Sequence, residues 1–226
     1  MQEEDDIEAA LAGQCGNWPR MANKYTDGDI LALYAPLAAQ SGLKPPPLLY
    51  LHDGAARKAF CCLFRGVPYI VVSSKHLPEK GERIFKALLA HELGHSTPRQ
   101  IASKLKGHEV MKSARYNAQS ESEWQIRCNT LDRFVAFNEL DADRFASRLV
   151  PAADVADMIQ EAWEDFLQND KEERNKWYPQ KSAEEAIQAF RKSLASDAIS
   201  PQATDRVIVK RIQYLRGRGQ ALSPSR

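Results

Sequence analysis

A His-Glu-x-x-His run, formed by His91, Glu92 and His95, has the residue types and spacing of a metal site. On a helix, residues four apart lie one above the other on the same face, so both imidazoles can bind one ion. Glu92 sits about 100° around the axis, where it can reach a water molecule at the metal without being a ligand. Zinc lowers the pKa of such a water to about 7, and a carboxylate can take its proton. The run therefore predicts a zinc site with Glu92 as the general base.

A third ligand is required, because catalytic zinc usually has three protein ligands and one open position. A histidine soon after the run could supply it, but that pattern is absent here. Pro98 and Ile101 occupy the positions where the longer pattern has glycine and histidine. The remaining source is a carboxylate on a later helix.

Glu139 and Asp143 are the carboxylates whose spacing suits this role. They are four residues apart on a predicted helix, on a face that Val135 and Ala146 make otherwise apolar. Two carboxylates directed into an apolar interior are costly unless they bind a cation or a hydrogen-bond donor. We predict that Glu139 completes the ligands of one zinc ion and that Asp143 holds the second nitrogen of His91.

Two structural alternatives stay open on this reasoning. The histidines could be an ordinary buried pair with a neighbouring glutamate. The later carboxylates could form a solvated acidic patch, and Asp141 between them is expected to face solvent.

The run is predicted to lie on a helix over Arg83–Ser96, because apolar residues at helical spacing precede the two histidines. Gly94 is a poor helix former inside it. Its missing side chain would let another segment approach the metal closely.

A small sheet is predicted to precede this helix. Aromatic and β-branched residues separated by Asp-Gly and Arg-Gly turns mark three strands: Leu48–His52, Lys58–Phe64 and Val67–Ser73. We predict a three-stranded antiparallel sheet in a mainly helical α+β fold.

The remaining sequence is predicted to be helical with irregular segments. The predicted helices are Asp29–Gln40, a long stretch from Ser120 to Val150, Ala153–Gln168, Ala183–Leu194 and Thr204–Leu215, and the segments 99–120 and 169–182 are predicted to be irregular. The domain prediction is an extension over 1–27, one domain over 28–215 and a disordered basic tail over 216–226.

Composition favours a globular protein of the cytoplasm. Hydrophobic residues make up 43% and charged residues 27%, and the net charge is +1, so no strong global field favours nucleic acid or a membrane surface. A basic segment over 210–218 has little aromatic interleaving, so nucleic-acid binding is not expected. No apolar run approaches the roughly 18 residues that a spanning helix needs. The acidic start does not resemble a signal peptide.

The pattern Glu139-Leu140-Asp141-Ala142-Asp143, following the His-Glu-x-x-His run, resembles the gluzincin peptidases of the HtpX and CAAX-prenyl-protease type. That family combines HExxH with a downstream ExxAD. Upstream similarities cover the segments Ser41–Tyr50, Lys58-Ala59-Phe60 and Tyr69–Ser73. The resemblance, over about residues 30–150, implies a zincin-like fold and hydrolysis of peptide bonds. It also implies that substrate binds as an added strand at a sheet edge formed by Arg57–Phe64.

A secondary resemblance is to the ImmA/IrrE-type peptidases. The helix predicted to carry the third ligand, Glu139, continues through Phe145-Ala146 to Leu149-Val150-Pro151, which is similar to that family. The short segment between the His-Glu-x-x-His run and Glu139 is a second similarity. Lys58 stands where the first family often has asparagine, and Ile199-Ser200-Pro201 replaces its late His-Pro. The alternatives to a general endopeptidase are therefore a regulatory protease and a non-catalytic partner-binding protein on a peptidase fold.

Overall fold

Strands and helices are mixed in the first part of the chain, and the regular elements described after residue 73 are helices. The computed structural model describes residues 21–22, 28–52, 59–64, 67–73, 76–117, 135–195 and 203–221. The strands are β1 (Met21–Ala22), β2 (Leu48–His52), β3 (Ala59–Phe64) and β4 (Val67–Ser73). The helices are α1 (Gly28–Ser41), α2 (His76–His95), α3 (Pro98–Asn117), α4 (residues 135–146), α5 (Ala152–Asn169), α6 (Lys171–Trp177), α7 (Ala183–Ala195) and α8 (Ala203–Ala221). None of these helices is long and apolar enough to cross a membrane.

The sheet is mixed, so the prediction of an antiparallel sheet was wrong. Its strand order is β1-β2-β4-β3, and β4 runs parallel to β2 and antiparallel to β3. The Asp-Gly turn after β2 favoured a β2–β3 hairpin, but β4 lies between these strands. Residues 69–73 of β4 are all buried, so the most apolar strand takes a central position with neighbours on both sides. β3 is left at one edge of the sheet.

Helix α2 packs against β3 and β4, and α1 packs against α2. Gly81 has non-helical dihedral angles (φ 77°, ψ 164°), so the regular helix begins just after it, near the predicted start. From Ile84 to Ser96 only Lys86 and Leu88 are not fully buried. The histidines therefore lie on a helix buried on most of its circumference, and the predicted apolar stripe is only part of its buried surface.

The segment predicted to be irregular over 99–120 is helical from Pro98 to Asn117, which corrects the sequence prediction. Thr97 accepts a hydrogen bond at its Oγ1 from the backbone N–H of Gln100 (3.4 Å). Proline is favoured at the first helical position because its missing N–H would have no partner there. Thr97-Pro98 thus starts a new helix as well as ending the previous one.

The chain divides into two compact units, residues 1–149 and 150–226. In the second unit α5 packs against α6, α7 and α8 around apolar residues that include Val155, Leu167 and Phe190. Residues 171–177 are helical, although the sequence predicted a loop over 169–182. Helix α8 extends to Ala221, so the tail predicted to be disordered from residue 216 begins inside this helix.

Candidate metal centre

The two histidines of the run meet at their Nε2 atoms. His91 and His95 lie in the last two turns of α2 and are 6% and 7% exposed. Their Nε2 atoms are 3.1 Å apart, and the rings meet edge to face with centroids separated by 4.7 Å. Both imidazoles therefore present one nitrogen to the same point, as their spacing of four predicts.

Glu139 reaches that point from α4. Its Oε2 lies 3.3 Å from Nε2 of His91, and its Oε1 lies 3.2 Å from Nε2 of His95. Potential ligand atoms of the three residues all lie within 4.8 Å of one another, which is close enough to hold one metal ion. The structure thus brings together the three residues singled out as ligands from the sequence.

Asp143, one turn after Glu139, contacts the other nitrogen of His91. Its Oδ1 lies 2.9 Å from Nδ1 of His91, and its side chain is fully buried. An anionic partner at this position favours a proton on Nδ1, so Nε2 is the nitrogen available to a metal ion. This is the arrangement expected for a metal-binding imidazole.

The two helices that carry these residues touch at Gly94. A Cβ on Gly94 would lie 2.8 Å from both Cα and O of Ala142 and 3.1 Å from its Cβ. The Cα and O of Ala142 are backbone atoms and its Cβ is bonded directly to Cα, so no side-chain rotation can move any of the three. The absence of a side chain at Gly94 therefore permits the close approach of α4, and the sequence predicted this role for the glycine.

The electrostatics of the cluster favour a cation. Burial lowers the pKa of His91, but the neighbouring carboxylates of Asp143 and Glu139 outweigh it and raise that pKa to about 10. Burial would likewise raise the pKa of Glu139, but its contacts with His91 and His95 hold this pKa well below the usual range. The carboxylates thus favour a positive charge at this cluster.

The donor atoms also fit a metal ion. Ligands on a tetrahedral zinc with bonds of 2.0–2.1 Å are about 3.4 Å apart. The two Nε2 atoms are 3.1 Å apart, and each lies 3.2–3.3 Å from a different oxygen of Glu139, so the group is compact enough for one ion. With its proton on Nδ1, His91 would direct a bare lone pair at the Glu139 carboxylate and at Nε2 of His95. A cation among these atoms removes that repulsion.

Glu92, the predicted general base, is buried at 5% exposure. Its Oε2 has no hydrogen-bond partner within the described part of the chain. An unpaired carboxylate oxygen in a buried position is costly. Such a group is unusual in a merely structural role and suits an oxygen that must accept a proton.

Asp141 does not face solvent, contrary to the sequence expectation. Its side chain is 15% exposed, and its carboxylate pairs with Arg99 (3.3 Å) and Arg144 (3.7 Å). Val135 is 49% exposed, so it does not contribute to the buried face of α4. That face is formed instead by small and polar residues, including Ala142.

Contacts near the site that join distant parts of the chain were not predicted from the sequence. Ser96 donates through Oγ to the carbonyl of Glu92 (3.1 Å), and the same Oγ lies 3.2 Å from Sγ of Cys61 on β3. Lys104 on α3 donates to the carbonyl of Cys61 (3.2 Å). These contacts attach the edge strand to α2 and α3. The two contacts of Cys61 join residues 35 and 43 positions apart, which spacing rules for single helices and strands do not relate.

None of the protein-family models, curated proteins or solved structures compared with the chain matches it. The function must therefore be inferred from the residues of the cluster and from their surroundings.

Proposed function

We propose that the protein is a zinc-dependent endopeptidase whose metal is held by His91, His95 and Glu139 and whose general base is Glu92. The observation that carries this proposal is the convergence of the two Nε2 atoms and the carboxylate of Glu139 at contacts of 3.1–3.3 Å, with the buried Glu92 next to His91 in the chain. The sequence resemblance to HtpX-type gluzincins points to the same chemistry.

Zinc is the proposed metal because two imidazoles and one carboxylate, with a fourth position open, are a common catalytic zinc set. Imidazole ligands also suit copper, nickel and iron, whereas sites for magnesium and calcium consist of oxygen ligands. A bound zinc ion would supply Lewis-acid chemistry by polarising a carbonyl and acidifying a water molecule.

The chain's own residues supply the proton transfer and the positioning. Glu92 is next to His91 in the chain and its Oε2 has no hydrogen-bond partner among the described residues, which supports a role in taking the proton of the attacking water and passing it to the leaving amine. Asp143 fixes the tautomer and orientation of His91 through the 2.9 Å contact. We propose this division of roles, with one carboxylate as base and the other as ligand support.

The proposed substrate is an extended segment of a protein that adds to the sheet beside β3. This strand is at the sheet edge, and Cys61 in it contacts Ser96, which directly follows His95. Main-chain hydrogen bonds along an edge strand give affinity that does not depend strongly on sequence. The predicted binding edge was Arg57–Phe64, of which residues 59–64 lie within the described strand.

The test is cleavage of a denatured, fluorescently labelled protein by the zinc-loaded chain, the Glu92→Gln variant and the exposed control Glu184→Gln. We expect cleavage that a chelator abolishes and zinc restores. Glu92→Gln should keep its zinc and lose about 100-fold to 10,000-fold in kcat, and Glu184→Gln should match the native protein.

Two results would contradict the proposal. The first is a zinc-loaded native protein that cuts neither this substrate nor a peptide library. The second is cleavage by Glu92→Gln at the native rate. A chain that binds zinc and one specific partner without cutting it would instead support the partner-binding alternative.

A further inference from the structure

We infer that Gln100 and Ser103 of α3 are positioning residues that set the place of the ligand Glu139 by holding its neighbour Asn138. The inference rests on the proposed metal site and adds two residues to it. Neither residue belongs to the His-Glu-x-x-His run or to the ExxAD pattern.

Both contacts converge on a single residue of α4. The Nε2 of Gln100 donates to the backbone carbonyl of Asn138 (2.9 Å), and Oγ of Ser103 donates to its Oδ1 (2.8 Å). Gln100 and Asn138 are 3% and 8% exposed. Gln100 and Ser103 are three residues apart, so they lie on one face of α3. One contact holds the backbone of α4 and the other holds a side chain, so together they restrain both its translation and its rotation.

Apolar packing restrains the rotation of α4 only weakly. The buried positions of α4 are Asn138, Ala142, Asp143 and Ala146. Of its larger apolar residues, Val135 and Phe137 are 49% and 46% exposed, and Leu140 and Phe145 are only partly buried. Partly buried side chains restrain the angle of a helix less than fully buried large ones do. The polar contacts with α3 therefore contribute to holding that angle.

Small rotations matter because the carboxylate of Glu139 is far from the helix axis. Side chains extend to about 5–6 Å from that axis, so a turn of about 10° displaces a terminal atom by about 1 Å. Metal–ligand distances tolerate changes of only about 0.2 Å. Loss of the Asn138 contacts is therefore expected to weaken metal binding without unfolding the helix.

The substitution Gln100→Met separates positioning from stability. The Oε1 of Gln100 is buried and has no hydrogen-bond partner among the residues described. Met has a similar volume and removes this unsatisfied acceptor, which offsets part of the cost of losing the donor to Asn138. Ser103→Ala removes the second contact, and Ser103→Thr keeps a hydroxyl that can restore it.

The experiment compares the full-length native protein with Gln100→Met/Ser103→Ala, Gln100→Met/Ser103→Thr and the exposed control Gln188→Met. Zinc affinity is measured by competition with a chromophoric chelator, and coordination is followed by the visible spectrum of bound cobalt(II). Hydrogen exchange of residues 135–146 is measured in the metal-free proteins.

We expect about 10-fold weaker zinc binding, an altered cobalt spectrum and faster exchange in the Ser103→Ala double variant. The Ser103→Thr double variant should recover part of the affinity, and Gln188→Met should match the native protein. Native zinc affinity and native exchange in the Ser103→Ala double variant would overturn the inference and leave the metal site intact. A native protein that binds no metal would overturn the proposed function, and the exchange rates alone would then decide whether Gln100 and Ser103 hold α4.

Discussion

Replacement of Gly94 by alanine tests the contact that brings the two metal-binding helices together. The added Cβ would lie 2.8 Å from Cα and O of Ala142. Ordinary contacts between carbon atoms are about 3.5 Å or longer, so α4 must move away by about 0.7 Å. Glu139 is three residues before Ala142 and moves with this helix. The displacement exceeds the tolerance of about 0.2 Å in a metal–ligand bond.

The expected result is a separation of metal affinity from stability. Overpacking costs about 1–3 kcal/mol, and the better helix propensity of alanine returns about 1 kcal/mol. The free energy of unfolding of metal-free Gly94→Ala should therefore fall by no more than about 2 kcal/mol. Its zinc affinity should fall by more than about 10-fold, because one ligand is displaced while two remain.

The assay is chelator competition for zinc affinity and urea unfolding in the presence of a chelator for stability. Gly217→Ala is the matched control, because a Cβ there meets nothing within 4 Å. The control should keep native zinc affinity and gain up to about 1 kcal/mol. Native zinc affinity in Gly94→Ala would refute the reasoning, since the helix contact would then not determine the ligand geometry.

Three further predictions concern individual groups. Asp143→Asn should weaken zinc binding by about 10-fold to 100-fold in chelator competition, because Nδ1 of His91 loses its anionic partner, and the exposed control Asp29→Asn should not. The neighbouring carboxylates raise the pKa of His91 to about 10 in the metal-free protein, so zinc must displace a proton when it binds. Zinc affinity in chelator competition should therefore increase by about 10-fold per pH unit between about pH 6.5 and 8, and an affinity independent of pH would contradict this. Buried Arg174 donates through Nη1 to the carbonyl of Leu167 (2.6 Å) near the end of α5, so Arg174→Met should lower the free energy of unfolding in urea by about 1–3 kcal/mol. An unchanged free energy of unfolding would show that this hydrogen bond is dispensable.

The sequence predicted the local elements near the site well. The strands β2 and β4 agree with the predicted ranges, and β3, described over Ala59–Phe64, lies within its predicted range. Period-two and helical patterns depend on residues that are close in the chain, so they can be read directly. The convergence of Glu139 and Asp143 on His91 was predicted because their spacing places both carboxylates on one helix face.

Features that depend on pairing between distant segments were not predicted. The parallel pairing of β2 with β4 needs a long connection through β3, and the turn residues gave no sign of it. Helix α3 was missed because its sequence is polar and lacks a clear apolar period, while its N-terminal Thr97-Pro98 was interpreted only as a stop. The contacts of Gln100 with Asn138 span 38 residues and follow from tertiary packing.

The most direct test of the metal site is the zinc content of the native protein and of Glu139→Ala, measured side by side by elemental analysis after metal reconstitution. The account predicts about one zinc per chain in the native protein and an apparent affinity at least about 10-fold lower in the variant. A native protein without zinc, or a Glu139→Ala variant that retains zinc as tightly as the native protein, would contradict the central claim that His91, His95 and Glu139 form a zinc site.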